Sequence, residues 1–184
     1  MRIIAGKARG THIQAPDGRD TRPTLDRVRE NLFNMIQQRV HGSRVLDLFA
    51  GSGALGLEAV SRGADLAVLA DHSRAACRIQ RENIARLHFE ENTKVILADW
   101  HVTIRQLEEE HQSFDLVFLD PPYDMPDQER ILSGLIPILS PEAWVVVEHQ
   151  AKKNIVIPDE RFQIIKDRSW GYCGITIFER SVEI

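Results

Sequence analysis

Hydrophobic positions along the chain change their spacing twice, and each change marks a different kind of element. Near the start, the apolar stretches RIIA and THIQA flank the glycine-bounded GKARG, which predicts a short β-hairpin with Lys7 and Arg9 at its tip. The loop DGRDTRPT follows. Then Leu25, Val28, Leu32, Met35 and Ile36 recur at threes and fours, predicting a helix that a Thr24 N-cap opens and that runs to about Gln38. From Arg44 the period changes again. Short apolar runs (RVLDLF, LAVLA, KVILA, FDLVFL, AWVVVEH) alternate with amphipathic ones (ALGLEAVSRG, SRAACRIQRENIARL, WHVTIRQLEEE, ERILSGLIPIL), and Ser73 is placed to cap the second of these helices. Continuous apolar strands alternating with helices predict a mostly parallel sheet covered on both faces. FQIIKDRS and YCGITIFER, with only WG between them, predict an antiparallel pair closing one edge. The expected fold class is α/β and Rossmann-like, with a seven-stranded sheet. The expected organisation is an N-terminal extension over residues 1–40 and one compact domain over 41–184.

Length and composition bound this picture without changing it. A chain of 184 residues, 43% hydrophobic, suits one domain with a substantial core. No apolar run reaches membrane-spanning length and MRIIAGKARG is unlike a secretory signal, so a cytoplasmic protein without membrane association is expected. Cys77 and Cys173 are far apart and lack metal-ligand spacing, which argues against a disulfide framework or a metal site. Charge does add something. The formal net charge is −4, yet residues 1–29 hold seven basic and three acidic side chains, so +4 on the extension faces −8 on the remainder. A basic arm on an acidic body suggests contact with a polyanion.

The chemistry is concentrated where strands end. DLFAGSGALG carries G-x-G-x-x-G, and Asp71 stands 20 positions after Gly51, the fingerprint of a dinucleotide-binding turn. In an open α/β sheet, ligands lie over the carboxyl ends of the strands. Here those ends hold Asp47 followed by Phe49, Gly51, Ser52 and Gly53, then Asp71 with His72, Asp99 with Trp100, and Asp120. Asp47 precedes the turn and would repel a pyrophosphate, whereas a ligand bearing an ammonium and a sulfonium would be attracted. S-adenosylmethionine has both and is the expected cofactor, S-adenosylhomocysteine its product. Asp71 suits the ribose hydroxyls and Asp99 the adenine amine. Trp100 suits either an aromatic face for adenine or a place in the core.

The stretch FDLVFLDPPYD supplies reactive groups. Pro121 and Pro122 fix two φ angles and aim the Pro121 carbonyl through a rigid loop. That carbonyl and the Asp120 carboxylate form a pair of acceptors able to grip the N–H bonds of an exocyclic amine and localise its lone pair. Tyr123 offers a face for an unstacked base. Together these predict methyl transfer to an amine on a nucleic-acid base.

TRPTLDRVRENLFN, DLFAGSGALGLEA, DPPY and the opening MRIIAGKARG, in this order, resemble the bacterial 16S ribosomal RNA guanine-N2 methyltransferases of the RsmD type over nearly the whole chain. The resemblance implies a class I methyltransferase fold and a target guanine in small-subunit ribosomal RNA, methylated within an assembled particle by a monomeric enzyme. It implies that Asp47, Gly51 and Gly53 line the methionine part, Asp71 the ribose, Asp99 the adenine, and Asp120 to Tyr123 the guanine. It also makes Arg2, Lys7, Arg9, Arg22 and Arg29 the expected RNA contacts, although Arg27 and Arg29 could instead pair with Asp26 and Glu30. The chain departs from the family at Asp71, where Glu is usual, which leaves room for His72 to share the ribose, and at WGYCGIT. Adenine in DNA or RNA, or a protein amide, is the alternative substrate. An NAD-dependent oxidoreductase and a non-catalytic RNA-binding module are the readings from other classes.

Overall fold

The computed structural model describes residues 1–16, 23–126, 128–153, 155–157 and 160–182, and the side chains of 23–25 are not among those described. Residues 17–22 of the loop expected at 17–24, Arg22 among them, lie outside the described residues.

Parallel pairing and alternation give the sheet its order. Strands β1 (Arg44–Asp47), β2 (Leu66–Asp71), β3 (Thr93–Leu97), β4 (Phe114–Leu119), β5 (Leu139–Gln150), β6 (Phe162–Trp170) and β7 (Cys173–Arg180) form one seven-stranded sheet in the order 3-2-1-4-5-7-6. The first five are parallel; β7 runs antiparallel between β5 and β6, and the β6–β7 turn is Gly171–Tyr172, since Trp170, expected in the connection, ends β6 paired with Cys173. The order reverses beside β1, which pairs β2 on one side and β4 on the other, so the strand carrying Asp47 stands at the switch point where α/β sheets open a crevice.

Helices α1 (Pro23–Ile36), α2 (Ala54–Ser61) and α3 (Arg74–Leu87) contribute to the core on one face, and α4 (Trp100–Glu109) and α5 (Gln128–Leu135) to that on the other. The α1 helix begins at Pro23, so Thr24 falls inside its first turn and not at the cap; proline suits that position because its missing N–H would be unpaired there anyway. Ser73 does cap α3, accepting from the Ala76 N–H at 3.2 Å.

The hairpin reduces to a single antiparallel bridge, Arg2 to His12, and its stability comes from docking. Ile3 and Ile13 enter the same apolar cluster as Val28, Leu32, Phe33 and Ile36 of α1 and Leu57 and Val60 of α2. At the tip, Gly6 has φ of +83° and a Cβ there would lie 1.9 Å from the Ser61 carbonyl oxygen, so the chain approaches α2 only because that atom is missing. The extension therefore shares the core of the domain it precedes.

Candidate active site

The glycine turn is shaped by its own packing before any ligand is considered. Gly53 adopts φ of +84°, and a Cβ on it would meet Leu69 Cδ1 at 2.9 Å; one on Gly56 would meet Leu69 Cδ2 at 2.3 Å. Both glycines let α2 press onto β2. The turn is then pinned from α3, where Gln80 Nε2 donates to the Gly51 carbonyl at 2.9 Å and Asn83 Nδ2 to the Ser52 carbonyl at 3.0 Å. Gln80 and Asn83 are fully buried. Sequence reasoning missed both, although polar residues among Cys77, Ile79, Ile84 and Leu87 on the inner face of α3 were the available signal. Asn83 also pairs with the backbone of Gln14, at 2.7 and 2.9 Å, so one side chain ties the turn to the N-terminal extension.

Asp47 is 1% exposed and its carboxylate accepts from the Gly56 N–H at 3.1 Å. Burial, opposed by that hydrogen bond and reinforced by the charge of Asp71, pushes its carboxyl up to about 7. Asp71 ties two stretches of backbone together. Its two oxygens accept from the N–H groups of Gly51 at 3.0 Å and Ser73 at 2.9 Å, which bind the end of β2 to the turn, and each keeps a second acceptor direction. His72 is exposed, with Nδ1 3.6 Å from Asp71 Oδ1.

Two cavities meet over these strand ends. One is lined by Asp47, Phe49, Ser52, Arg29, Asp120 and Glu148, the other by Phe49, His72, Asp99, Trp100, Pro122 and Met125. Phe49 lines both, so Asp47, Asp99 and Asp120 face this pair of cavities, whereas Asp71 lines neither and holds the backbone of the glycine turn. Asp99 occupies the N-cap position of α4, yet its side chain makes no capping bond there. Trp100 lines the second cavity and packs on α5, where a Cβ on Gly134 would touch its ring at 3.6 Å.

Pro121 is buried and Pro122 exposed; the Met125 N–H donates to the Pro122 carbonyl at 2.9 Å, folding the loop after β4 into a turn. Tyr123 is 51% exposed, and Asp120 is half-buried.

The expected RNA contacts divide. Arg2, Lys7 and Arg9 are exposed on the hairpin. Arg29 is not. It is 6% exposed, donates to the Arg2 carbonyl and to Asp26 Oδ1, the latter at 3.1 Å, and lines the cavity beside Asp47, so it cannot meet RNA phosphates at the surface. The reason was readable in α1, since Arg29 follows Leu25 by four residues and precedes Leu32 by three, which places it on the inner face. Its Nε is buried without a hydrogen-bond partner.

A model of the family described as "Conserved hypothetical protein 95" matches residues 1–179. The chain is 31% identical to the ribosomal RNA small subunit methyltransferase D of Escherichia coli K12, over 100% of this chain and 91% of that one. It is also 31% identical to the like-named protein of Haemophilus influenzae, over 97% and 93%. Among solved structures, that of yhhF from Escherichia coli is similar with a TM-score of 0.85 and 31% identity, covering 100% of this chain and 99% of the other.

Proposed function

The chain belongs to the conserved hypothetical protein 95 family, that of the RsmD-type methyltransferases, and from this premise we propose that it methylates the exocyclic N2 of a guanine in 16S ribosomal RNA, using S-adenosylmethionine. The observation that carries the reading is the shared cavity of Asp47 and Asp120, a buried carboxyl suited to a cationic donor beside an acceptor suited to the target amine.

The residues fit the cofactor's chemistry. A methionine head is a zwitterion; Asp47 is a buried acceptor with a raised carboxyl, and Arg29 a buried donor with Nε unpaired in the same cavity, so one ligand satisfies both. Asp71 would accept from the ribose, and Asp99, with Phe49 and Trp100, would hold the adenine. When bound, the cofactor supplies a methyl group on a sulfonium. Asp120 and the Pro121 carbonyl accept the two N–H bonds of the amine, bring its lone pair out of conjugation and stabilise the positive charge developing on nitrogen; Asp120 then takes the released proton. Tyr123 provides a stacking face for the base. Arg2, Lys7 and Arg9 contact phosphates, with the small subunit as the particle recognised and the cytoplasm as the compartment. The protein acts as a monomer.

The test is to incubate the protein with methyl-labelled S-adenosylmethionine and small subunits from cells lacking the gene, then identify labelled nucleosides by mass spectrometry. N2-methylguanosine is the expected product. Label in adenosine or in ribosomal protein would replace the substrate, and no label with cofactor binding intact would refute the reading.

A pH dependence follows from Asp47. Its folded-state carboxyl lies above the ordinary 3.8, at about 7, so the native protein holds that proton more tightly than the unfolded chain does. The ligand-free protein should therefore lose stability as pH rises from about 4 to about 7. A ligand ammonium needs the ionised form, so S-adenosylhomocysteine affinity should weaken by about tenfold per unit as pH falls below about 7 and level off above it. Calorimetric titration from pH 5.5 to 8.5 checks this, and Asp47→Asn should flatten the profile. A flat wild-type profile would remove Asp47 from the ammonium.

A further inference from the structure

Asp120 and its prolines account for gripping an amine, but they do not say which base carries it. Any exocyclic amine presents two N–H bonds. Guanine differs from adenine in the neighbouring ring atom: N1 of guanine carries a hydrogen, whereas N1 of adenine presents a lone pair. A site for guanine therefore needs a further acceptor in line with the first, and the same acceptor repels adenine.

The sheet provides one. Leu119 of β4 is paired in register with Val147 of β5, which makes Asp120 and Glu148 the next residues along their neighbouring parallel strands. Leu119 and Val147 belong to the apolar cluster under α4 and α5, so by alternation Asp120 and Glu148 emerge on the opposite face. Both line the cavity that also holds Asp47 and Arg29. Glu148 is oriented from behind by β7, where Cys173 Sγ donates to its Oε1 at 3.4 Å. That thiol is kept protonated by its burial first, then by the charge of Glu148 and, more weakly, that of Asp120.

We infer that Glu148 selects guanine, accepting the N1–H while Asp120 and the Pro121 carbonyl hold the N2 amine. The assignment rests on the guanine-N2 reading above. An adenine presented to the same pair sets its N1 lone pair against a carboxylate, and so does 2,6-diaminopurine, which keeps the C2 amine but has no N1 hydrogen.

The last base makes the test. Once the labelled nucleotide is mapped, small subunits are reconstituted with either guanine or 2,6-diaminopurine at that position, and methylation rates are measured for wild type, Glu148→Gln and Glu148→Leu. S-adenosylhomocysteine affinity and Tm are measured alongside. Wild type should prefer guanine by about 100-fold, the range of one good base contact. In both variants that ratio should fall to within about threefold of unity, because an amide can present either a donor or an acceptor and leucine presents neither. Cofactor affinity should stay unchanged. The ratio is what decides, since a merely structural defect lowers both rates together and leaves it intact. Equal wild-type rates on the two bases, or an unaltered preference in whichever variants fold, would overturn the assignment. Absence of N2-methylguanosine from unmodified subunits treated with wild type would instead refute the guanine reading itself, and this assignment with it.

Discussion

Asp120→Asn will bind S-adenosylhomocysteine within about threefold of wild type and yet lose about 100- to 1,000-fold in turnover on small subunits, the usual cost of removing one preorganised charged partner from a transition state. The substitution keeps the shape of the side chain but removes its charge: an amide oxygen can still accept from the amine, yet it neither stabilises the developing positive charge to the same extent nor takes the released proton. Asp120 directly follows β4 beside the buried Pro121, and the loop's rigidity resides in the two prolines, so the variant should fold. Single-turnover rates under saturating cofactor separate chemistry from substrate binding. Turnover within about threefold of wild type would remove Asp120 from the reaction. Loss of cofactor affinity equal to the loss of rate would move it to the cofactor's site.

The second large effect is structural. Glu58 on α2 is fully buried, and its carboxylate accepts from the N–H groups of Ile4 at 2.9 Å and Ala5 at 3.0 Å and from Arg62 Nε at 2.9 Å. It also carries the negative charge that favours the buried Arg29 guanidinium. Glu58→Ala leaves two backbone donors unpaired and two guanidinium groups without this counter-charge. That should destabilise the protein by about 3–5 kcal/mol, the range for breaking a buried ion pair. The corresponding fall in Tm is about 6–20 °C for a chain of this size. Hydrogen exchange locates the damage: the amides of Ile4 and Ala5 should lose protection before those of β1 and β4. Because Arg2, Lys7 and Arg9 ride on the same hairpin, activity on subunits should fall further than cofactor affinity does. An unchanged Tm would mean that the apolar contacts of Ile3 and Ile13 hold the hairpin without help from Glu58.

This anchoring also relates the two ends of the site. The hairpin hangs from α2 through Glu58 and Ser61, and from α3 through Asn83, while α2 and α3 are the helices that shape and pin the glycine turn. The hairpin proposed to touch RNA and the turn proposed to hold cofactor are therefore packed as one unit. The Arg29 guanidinium completes it, joining the Arg2 carbonyl to the cavity beside Asp47.

What the sequence determined by itself was the set of elements and the list of strand-end acids. Both are local properties. Alternation and helical spacing follow from burying one face, and Asp47, Asp71, Asp99 and Asp120 were conspicuous because a parallel sheet gathers its carboxyl ends in one place whatever the strand order. Even the inward place of Arg29 was written in the spacing of α1, and the basic character of the segment concealed it. Tertiary structure alone decided the rest. That β7 inserts between β5 and β6, that Glu148 comes level with Asp120, that Asn83 reaches the backbone of Gln14, and that Glu58 receives the amides of Ile4 and Ala5 all depend on pairings between residues distant in the chain. Periodicity records which face of an element is buried. It carries no information about what is packed against that face, and a buried carboxylate or amide acquires its role only from that partner.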